Sequence, residues 1–241
     1  MTVKVAILQS SYIPWKGYFD QINSCDHFVL YDDVQYTKRD WRNRNIIKTE
    51  HGPHWLSIPV KVKGRYLQKV RQTEILEQCW AEEHFQTIKQ YYTKTRYYPN
   101  YEVELEALYV RAASIYMLSE VNYMFLSQIC QWLDIKTPLR WSHEFRLAEG
   151  KSERLAEIAK QLDATCYISG PAAKEYLDVF FFEKEGIKVE WADYSGYPEY
   201  TQLYPPFDHK VSVLDLIFNE GPNARKFMKS FRRGQEKLEK D

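Results

Sequence analysis

The chain carries no surplus of charge of either sign: Lys and Arg together number 33, and so do Asp and Glu, in 241 residues. A general nucleic-acid binder needs a net basic field, so that class is excluded, while a local basic pocket stays open. Cysteine is scarce. Cys25, Cys79, Cys130 and Cys166 never pair as CxxC and match no zinc spacing, which excludes the common zinc sites and fits a reduced, cytoplasmic protein. No apolar run approaches the roughly 20 residues that span a bilayer. The opening MTVKVAILQ enters a strand at once, so no signal peptide is expected. A protein of this kind has no membrane anchor of its own and meets any lipid-borne substrate from the cytosolic side. Walker A, GxGxxG, GxSxG and HExxH are all missing, and support for their reaction classes goes with them. There are no internal repeats and no low-complexity tract, and nothing fixes the oligomeric state.

What is present is apolar and aromatic. Hydrophobic residues make up 44% of the chain, enough for a core, and aromatics 16%, with 19 Tyr and 7 Trp. VKVAILQ (Val3 to Gln9) reads as a buried strand, WKGYFDQINSC as a short helix and HFVLYDDV (His27 to Val34) as a second buried strand. Strand, helix and strand in so few residues make a βαβ unit, which favours a parallel sheet with ligands at the carboxyl ends of its strands. HWLSIPVKV alternates but contains Pro59, the mark of an edge strand, and RYLQKVRQTEI reads as one more strand. From Trp80 to Leu133 the period is helical, and SERLAEIAKQLDA is a further amphipathic helix. TCYIS is a strand, GPAAKEYLDVFF a helix opened by Pro171, and IKVEWADY a strand. SGYPEYTQLYPPFDH is a long loop of the kind that carries function, and Ser212 with Asp215 has capping-box spacing before SVLDLIFNEG. The expected fold is α/β, a Rossmann-like (nucleotidyltransferase-like) parallel sheet with a helical insert or cap. Residues 1–78 and 163–222 form the sheet domain, 79–162 the helical insert, and 223–241 a charged C-terminal helix or tail.

Candidate chemistry gathers at strand ends. After the first strand, Gln9, Tyr12, Trp15, Lys16, Gly17 and Tyr18 crowd a turn that simple turn residues would close. W-K-G-Y stands where many nucleotide-activating enzymes carry H-x-G-H. The histidines are absent, yet the glycine, the lysine and a helix amino terminus still suit an anion. The alternative is a packed turn in which Gly17 gives close helix–strand contact. Asp32 and Asp33 end the second strand, where carboxylates can bind Mg²⁺, act as a base, orient an amine, or simply cap a turn and pair with arginine. Gln35 follows, and then Arg39, Trp41, Arg42, Asn43, Arg44 and Asn45 interleave forked cations, amides and an indole, which suits a phosphate or a sugar diphosphate. His84 shares an apolar face with Trp80 and Ile88, as a core histidine or a general base. Ser169, Gly170 and Lys174 sit at a strand-to-helix junction resembling the I-S-x-T-x-x-R turn of nucleotidyltransferases, and Tyr194 lies in the loop able to close over a ligand.

As an ordered set, Q-x-x-Y-x-P-W-x-G-Y-F (Gln9 to Phe19), D-D-V-Q-Y then W-x-N-R-N (Asp32 to Asn45), W-L-x-I-P-V (Trp55 to Val60), Y-x-S-G-P-A-A-x-x-Y-L (Tyr167 to Leu177) and S-x-L-D-L-x-F-N-x-G (Ser212 to Gly221) resemble the WbqC-like protein family. Ser10 departs from it, standing where the family usually has proline. The resemblance implies a place in bacterial surface-polysaccharide (O-antigen) biosynthesis and a transfer of a glycyl, other aminoacyl or acyl group. It implies no catalytic residues. Joined to the reading above, it gives an enzyme that forms an amide on a nucleotide-linked amino sugar, with Arg39, Arg42 and Arg44 on phosphates. Trp15 and Tyr18 stack on sugar or base, and Asp32, Asp33 or His84 acts as the base. The donor either is activated by ATP with Mg²⁺ in the first-strand turn or arrives already activated. Two alternatives stay open: an adenylate-forming enzyme with Lys16 and Lys174 near ATP phosphates, and a non-catalytic sugar- or peptide-binding protein.

Overall fold

The structure is a computed structural model and describes residues 2–231. Five strands form one parallel sheet: β1 (Lys4–Leu8), β2 (His27–Leu30), β5 (Leu139–Trp141), β6 (Cys166–Ser169) and β7 (Lys188–Trp191), in the order β5-β2-β1-β6-β7. Counted along the sheet, that is the 3-2-1-4-5 order of a doubly wound α/β fold, whose topological switch falls between β1 and β6. A two-stranded antiparallel hairpin, β3 (Arg44–Thr49) and β4 (Gly52–Ser57), stands apart from it.

Alternation along the strands divides the interior. Ala6, Phe28, Leu30 and Ile168 turn to the larger core, under α1 (Lys16–Asn23), α2 (Trp80–Tyr92), α3 (Tyr98–Ala112), α4 (Leu118–Trp132) and α7 (Val213–Glu220). Val5, Ile7, Val29 and Tyr167 turn to a smaller one, under α5 (Lys151–Gln161) and α6 (Phe180–Lys184). A sheet buried on both faces explains why these strands read as continuous apolar runs. The Rossmann-like class is therefore observed, with no closed barrel among the described residues.

Local differences from the sequence reading have identifiable causes. The cation-rich stretch before residue 50 hides β3, which exists because Ile46 and Ile47 pair across to Trp55 and His54. Residues 68–76 form no strand. Their backbone groups bond to three separate segments, through the carbonyls of Asp32 and Val34, of Pro59 and of Tyr116, with a 3₁₀ turn at Val70–Gln72. The expected helix over GPAAKEYLDVFF splits into a 3₁₀ turn (Pro171–Glu175) and α6. Asp178 causes the break: its carboxylate accepts from the Phe180 N–H and its own N–H donates to the Ser152 hydroxyl. Ser212 caps α7 as expected, accepting from Leu214 N–H at 3.3 Å. Asp215 does not reciprocate; its carboxylate turns inward to the Tyr92 and Tyr200 hydroxyls at 2.9 and 2.8 Å. Of the expected C-terminal helix or tail, 232–241 lie outside the described residues. Among those described, Lys229 and Ser230 dock their N–H groups on the Asp20 carboxylate of α1. No helix among the described residues is long and apolar enough to cross a membrane.

Candidate functional site

The carboxyl ends of β1 and β2 are tied by buried Asp32. Its oxygens accept from the Ser10 N–H at 2.8 Å, the Ser10 hydroxyl at 2.7 Å and the Ser119 hydroxyl. Burial lifts its pKa, and the hydroxyl donors oppose the rise. Asn122 of α4 donates to the Ser10 hydroxyl and to the Arg42 carbonyl, at 3.0 and 2.9 Å. Arg42 in turn lays its guanidinium on the end of β1, with Nη1 donating to the Gln9 carbonyl at 3.1 Å and reaching toward that of Ser10 at 3.4 Å. The neighbouring Asp33 points elsewhere, accepting from Arg71 Nε at 2.7 Å, Ser142 Oγ at 2.9 Å and Lys69 Nζ at 3.1 Å. Burial raises its pKa, but Ser142, Lys69 and Arg71 together outweigh it and hold the carboxyl below its ordinary value. The two carboxylates thus serve different partners rather than one point, and no cluster of three or more metal-ligating side chains occurs among the described residues.

Against this framework lies a hollow of about 370 Å³. The first-strand turn contributes Leu8, Ser11, Pro14, Trp15 and Tyr18; the hairpin approach contributes Trp41, Arg42, Asn45 and Ile46; the long loop contributes Tyr194, His209 and Lys210. Asn45 positions the turn by donating to the Tyr12 carbonyl at 3.0 Å, and the Tyr18 hydroxyl donates to the Gln9 carbonyl at 2.9 Å. Trp15 stands edge-on to Tyr194 and Tyr197, with centroids 5.2 and 5.6 Å away. Gly17 permits this pose, because a Cβ there would lie 2.2 Å from the Trp15 ring. Two polar atoms of the wall are buried without a hydrogen-bond partner, Arg42 Nε and His209 Nδ1. Arg42 Nε faces the Asp40 carboxylate at 3.7 Å in an ion pair, whereas His209 Nδ1 is an unsatisfied atom of the kind native interiors seldom keep. Burial, assisted by Lys16, lowers the His209 pKa, so the ring meets the pocket neutral. Arg42 and Lys210 supply positive charge and no carboxylate lines the hollow. Aromatic walls, a few convergent polar groups and a cationic edge at the carboxyl end of a parallel sheet describe a small-molecule site.

Of the residues singled out from the sequence, Trp15, Tyr18, Trp41, Arg42, Asn45 and Tyr194 share this wall, and Gln9 braces it. The others do different work. Tyr12 is fully buried and bonds to His84 Nδ1 at 3.0 Å and the Tyr109 hydroxyl at 2.6 Å. His84 is buried beside Trp80, and burial pushes its pKa down to about 4. Lys16 lies beneath the loop, donating to the Pro198 carbonyl at 3.0 Å with the Tyr197 and Tyr200 rings about 5 Å away. Asn43 clamps Tyr36 to the Ile58 carbonyl. The Arg44 guanidinium stacks 4.2 Å over Trp55 and bonds to the Arg39 carbonyl, with Arg39 itself exposed at a φ of 58°. Gln35 is exposed and donates to the Tyr66 carbonyl. Ser169 is buried at the end of β6, Gly170 follows it beside the Tyr194 hydroxyl, and exposed Lys174 lies over Trp191. Ser11, Ile46, His209 and Lys210 carried no local motif. For the last two the available signal was their place at the end of the Tyr- and Pro-rich loop.

An uncharacterized protein of Mycobacterium tuberculosis is 46% identical to this chain over 226 residues, covering 94% of this chain and 97% of the relative. No solved structure matches. The sequence profile of the WbqC-like protein family matches residues 9–227 and so takes in the β1 turn, the hairpin and the long loop. The chain belongs to the WbqC-like protein family.

Proposed function

We propose that this protein is a transferase that places an aminoacyl, such as glycyl, or other acyl group on the amine of a nucleotide-linked amino sugar in bacterial surface-polysaccharide biosynthesis. The observation that carries the reading is the convergence of aromatic rings with Arg42 and Lys210 on one hollow at the carboxyl end of β1. A pyranose stacks on aromatic faces, and a diphosphate is held by Arg42 and Lys210. The amine attacks the acyl carbon of an activated donor, an acyl adenylate or thioester. A C–N bond forms, the bond from carbon to the donor's oxygen or sulfur breaks with its electron pair, and the nitrogen sheds a proton. His209 is the neutral group in this wall that takes the proton. Asp32 and Asp33, bonded within the framework, hold the strand ends in place.

Thermal-shift measurement with UDP-glucosamine tests the binding half. The folded protein should gain stability, and Lys210→Gln, at an exposed rim position, should weaken the effect severalfold. No shift in the wild-type protein would contradict the reading. For the chemical half, His209→Gln should lower kcat by about 10²-fold or more while leaving UDP-glucosamine affinity within about threefold.

A further inference from the structure

Two tryptophans stand open to water beside the hollow. Trp41 is 44% and Trp55 43% exposed, their ring centroids are 5.4 Å apart, and their planes differ by 30°. Covering this much indole surface would gain free energy, so a ring pair left open at a pocket mouth marks a place for a partner. Trp41 also lines the hollow, and Trp55 pairs across the hairpin with Ile46, another lining residue. Residues directly opposite in an antiparallel pair lie on one face, so the hollow and the indole pair form one continuous surface.

The pair is held in place from both sides. The Trp41 carbonyl accepts from the Tyr12 N–H at 3.1 Å, and the Arg44 guanidinium lies 4.2 Å over the Trp55 ring while bonding to the Arg39 carbonyl. The Ile58 N–H donates to the Asn43 carbonyl at 2.7 Å, which fixes the approach to β3 against the end of β4. Nearby polar side chains are engaged already. Asn43 uses its amide on the Tyr36 hydroxyl and the Ile58 carbonyl, while Asp40 accepts from the Trp41 N–H and faces Arg42 Nε at 3.7 Å. A pyranose needs hydrogen bonds to its rim of hydroxyls, and these groups do not offer them. A flat heteroaromatic ring binds indole surface by stacking. Inside the hollow the balance reverses: His209 Nδ1 is unsatisfied, and Arg42 and Lys210 line the wall, which suits the polar end of a ligand.

We propose that the Trp41–Trp55 pair is a nucleobase site. The base lies on the exposed indoles, and the diphosphate leads inward past Arg42 to the sugar beside Trp15 and His209. The proposal rests on the reading of the hollow as the site of a nucleotide-linked sugar, and it fixes which end of that substrate enters. Size agrees with this direction. At about 370 Å³ the hollow is near the lower end of the roughly 300–1,000 Å³ usual for ligand pockets, so a ligand of base, ribose, diphosphate and pyranose reaches past its mouth.

Two fragments of the substrate probe the two ends separately. UDP carries the base and the diphosphate without the amino sugar; glucosamine 1-phosphate carries the amino sugar and a phosphate without the base. In the tryptophan indole N–H spectrum of the full chain, UDP should move Trp41 and Trp55 and leave buried Trp80 in place. Glucosamine 1-phosphate should move Trp15 and leave Trp55 in place. Trp55→Ala should weaken UDP about tenfold, the scale of one lost base stack, and Trp55→Phe should stay within about threefold of wild type. Both variants should bind glucosamine 1-phosphate within about twofold of wild type, below the cost of a lost contact. UDP leaving Trp55 unmoved, glucosamine 1-phosphate moving it, an alanine variant that binds UDP as wild type does, or equal loss in the alanine and phenylalanine variants would overturn the nucleobase site, even where UDP-glucosamine still moves Trp15 and Trp41. If UDP moves Trp41 and Trp55 while glucosamine 1-phosphate and UDP-glucosamine both leave Trp15 in place, the amino-sugar reading falls and the nucleobase site stands.

Discussion

His84 is a histidine shut away from water, with Nδ1 facing the Tyr12 hydroxyl and Trp80 edge-on to its ring. Its pKa of about 4 in the fold compares with roughly 6.5 for an unstructured chain. The unfolded state therefore takes up a proton in a window where the folded state does not. Stability contributed by neutral His84 is complete above pH 6.5 and drains away as pH falls toward 4, up to about 3 kcal/mol in all. Urea unfolding of wild type and His84→Gln between pH 4 and 7 measures this: the variant's stability should depend less steeply on pH across that window. Parallel curves would show that another group carries the acid sensitivity. At this scale the sequence was half legible. A histidine on an apolar helix face is visible as either core or catalyst, and only its tertiary partner, the Tyr12 hydroxyl, decides where Nδ1 points. Asp32 and Asp33 pose the same problem: β2 ends at Leu30, short of the expected Val34, and in the turn that follows the two adjacent carboxylates meet different donors.

At the scale of the element, the β1–α1 turn shows how a local oddity of composition becomes a wall. The indole of Trp15 folds back over α1 because position 17 has no side chain, and Tyr194 and Tyr197 then fix it. Gly17→Ala would ordinarily help a helix by up to about 1 kcal/mol. Here the new methyl would force the ring off its neighbours, so the account predicts a net loss of about 1–3 kcal/mol and weaker UDP-glucosamine binding. Calorimetric melting with a parallel titration checks both, and a stabilised variant with intact binding would refute the role given to this glycine. The crowding of Tyr, Trp and Lys here was readable from the chain as the sign of a site. The hairpin was not: its strand β3 is a charged, aperiodic stretch that pairing with β4 makes regular. Asn45, on that unseen strand, is what anchors the turn.

Across the whole molecule, the parallel sheet, its buried strands and the helices between Trp80 and Trp132 follow from periodicity, and so the carboxyl ends of the strands could be located. What the periodicity left out is the closure of the site by residues far along the chain. The long loop and α7 are bound to the rest through Asp215, which accepts from Tyr92 of α2 and from Tyr200 and Gln202 of the loop. Lys48 of β3 bonds to that same Gln202 at 2.9 Å. Asp215→Ala would strand three donors at once in a buried network, and a destabilisation of about 2–4 kcal/mol is expected by urea denaturation. A loss below 1 kcal/mol would mean that the loop is held some other way. The central claim, that the hollow joining the first turn, the hairpin and the loop receives a nucleotide-linked amino sugar, is tested most directly by the tryptophan indole spectrum of the ¹⁵N-labelled protein titrated with UDP-glucosamine. The account predicts that Trp15 and Trp41 move together with one saturable dissociation constant while buried Trp80 stays fixed; movement at Trp132 or Trp191 with Trp15 and Trp41 unchanged, or no movement at all, would contradict it.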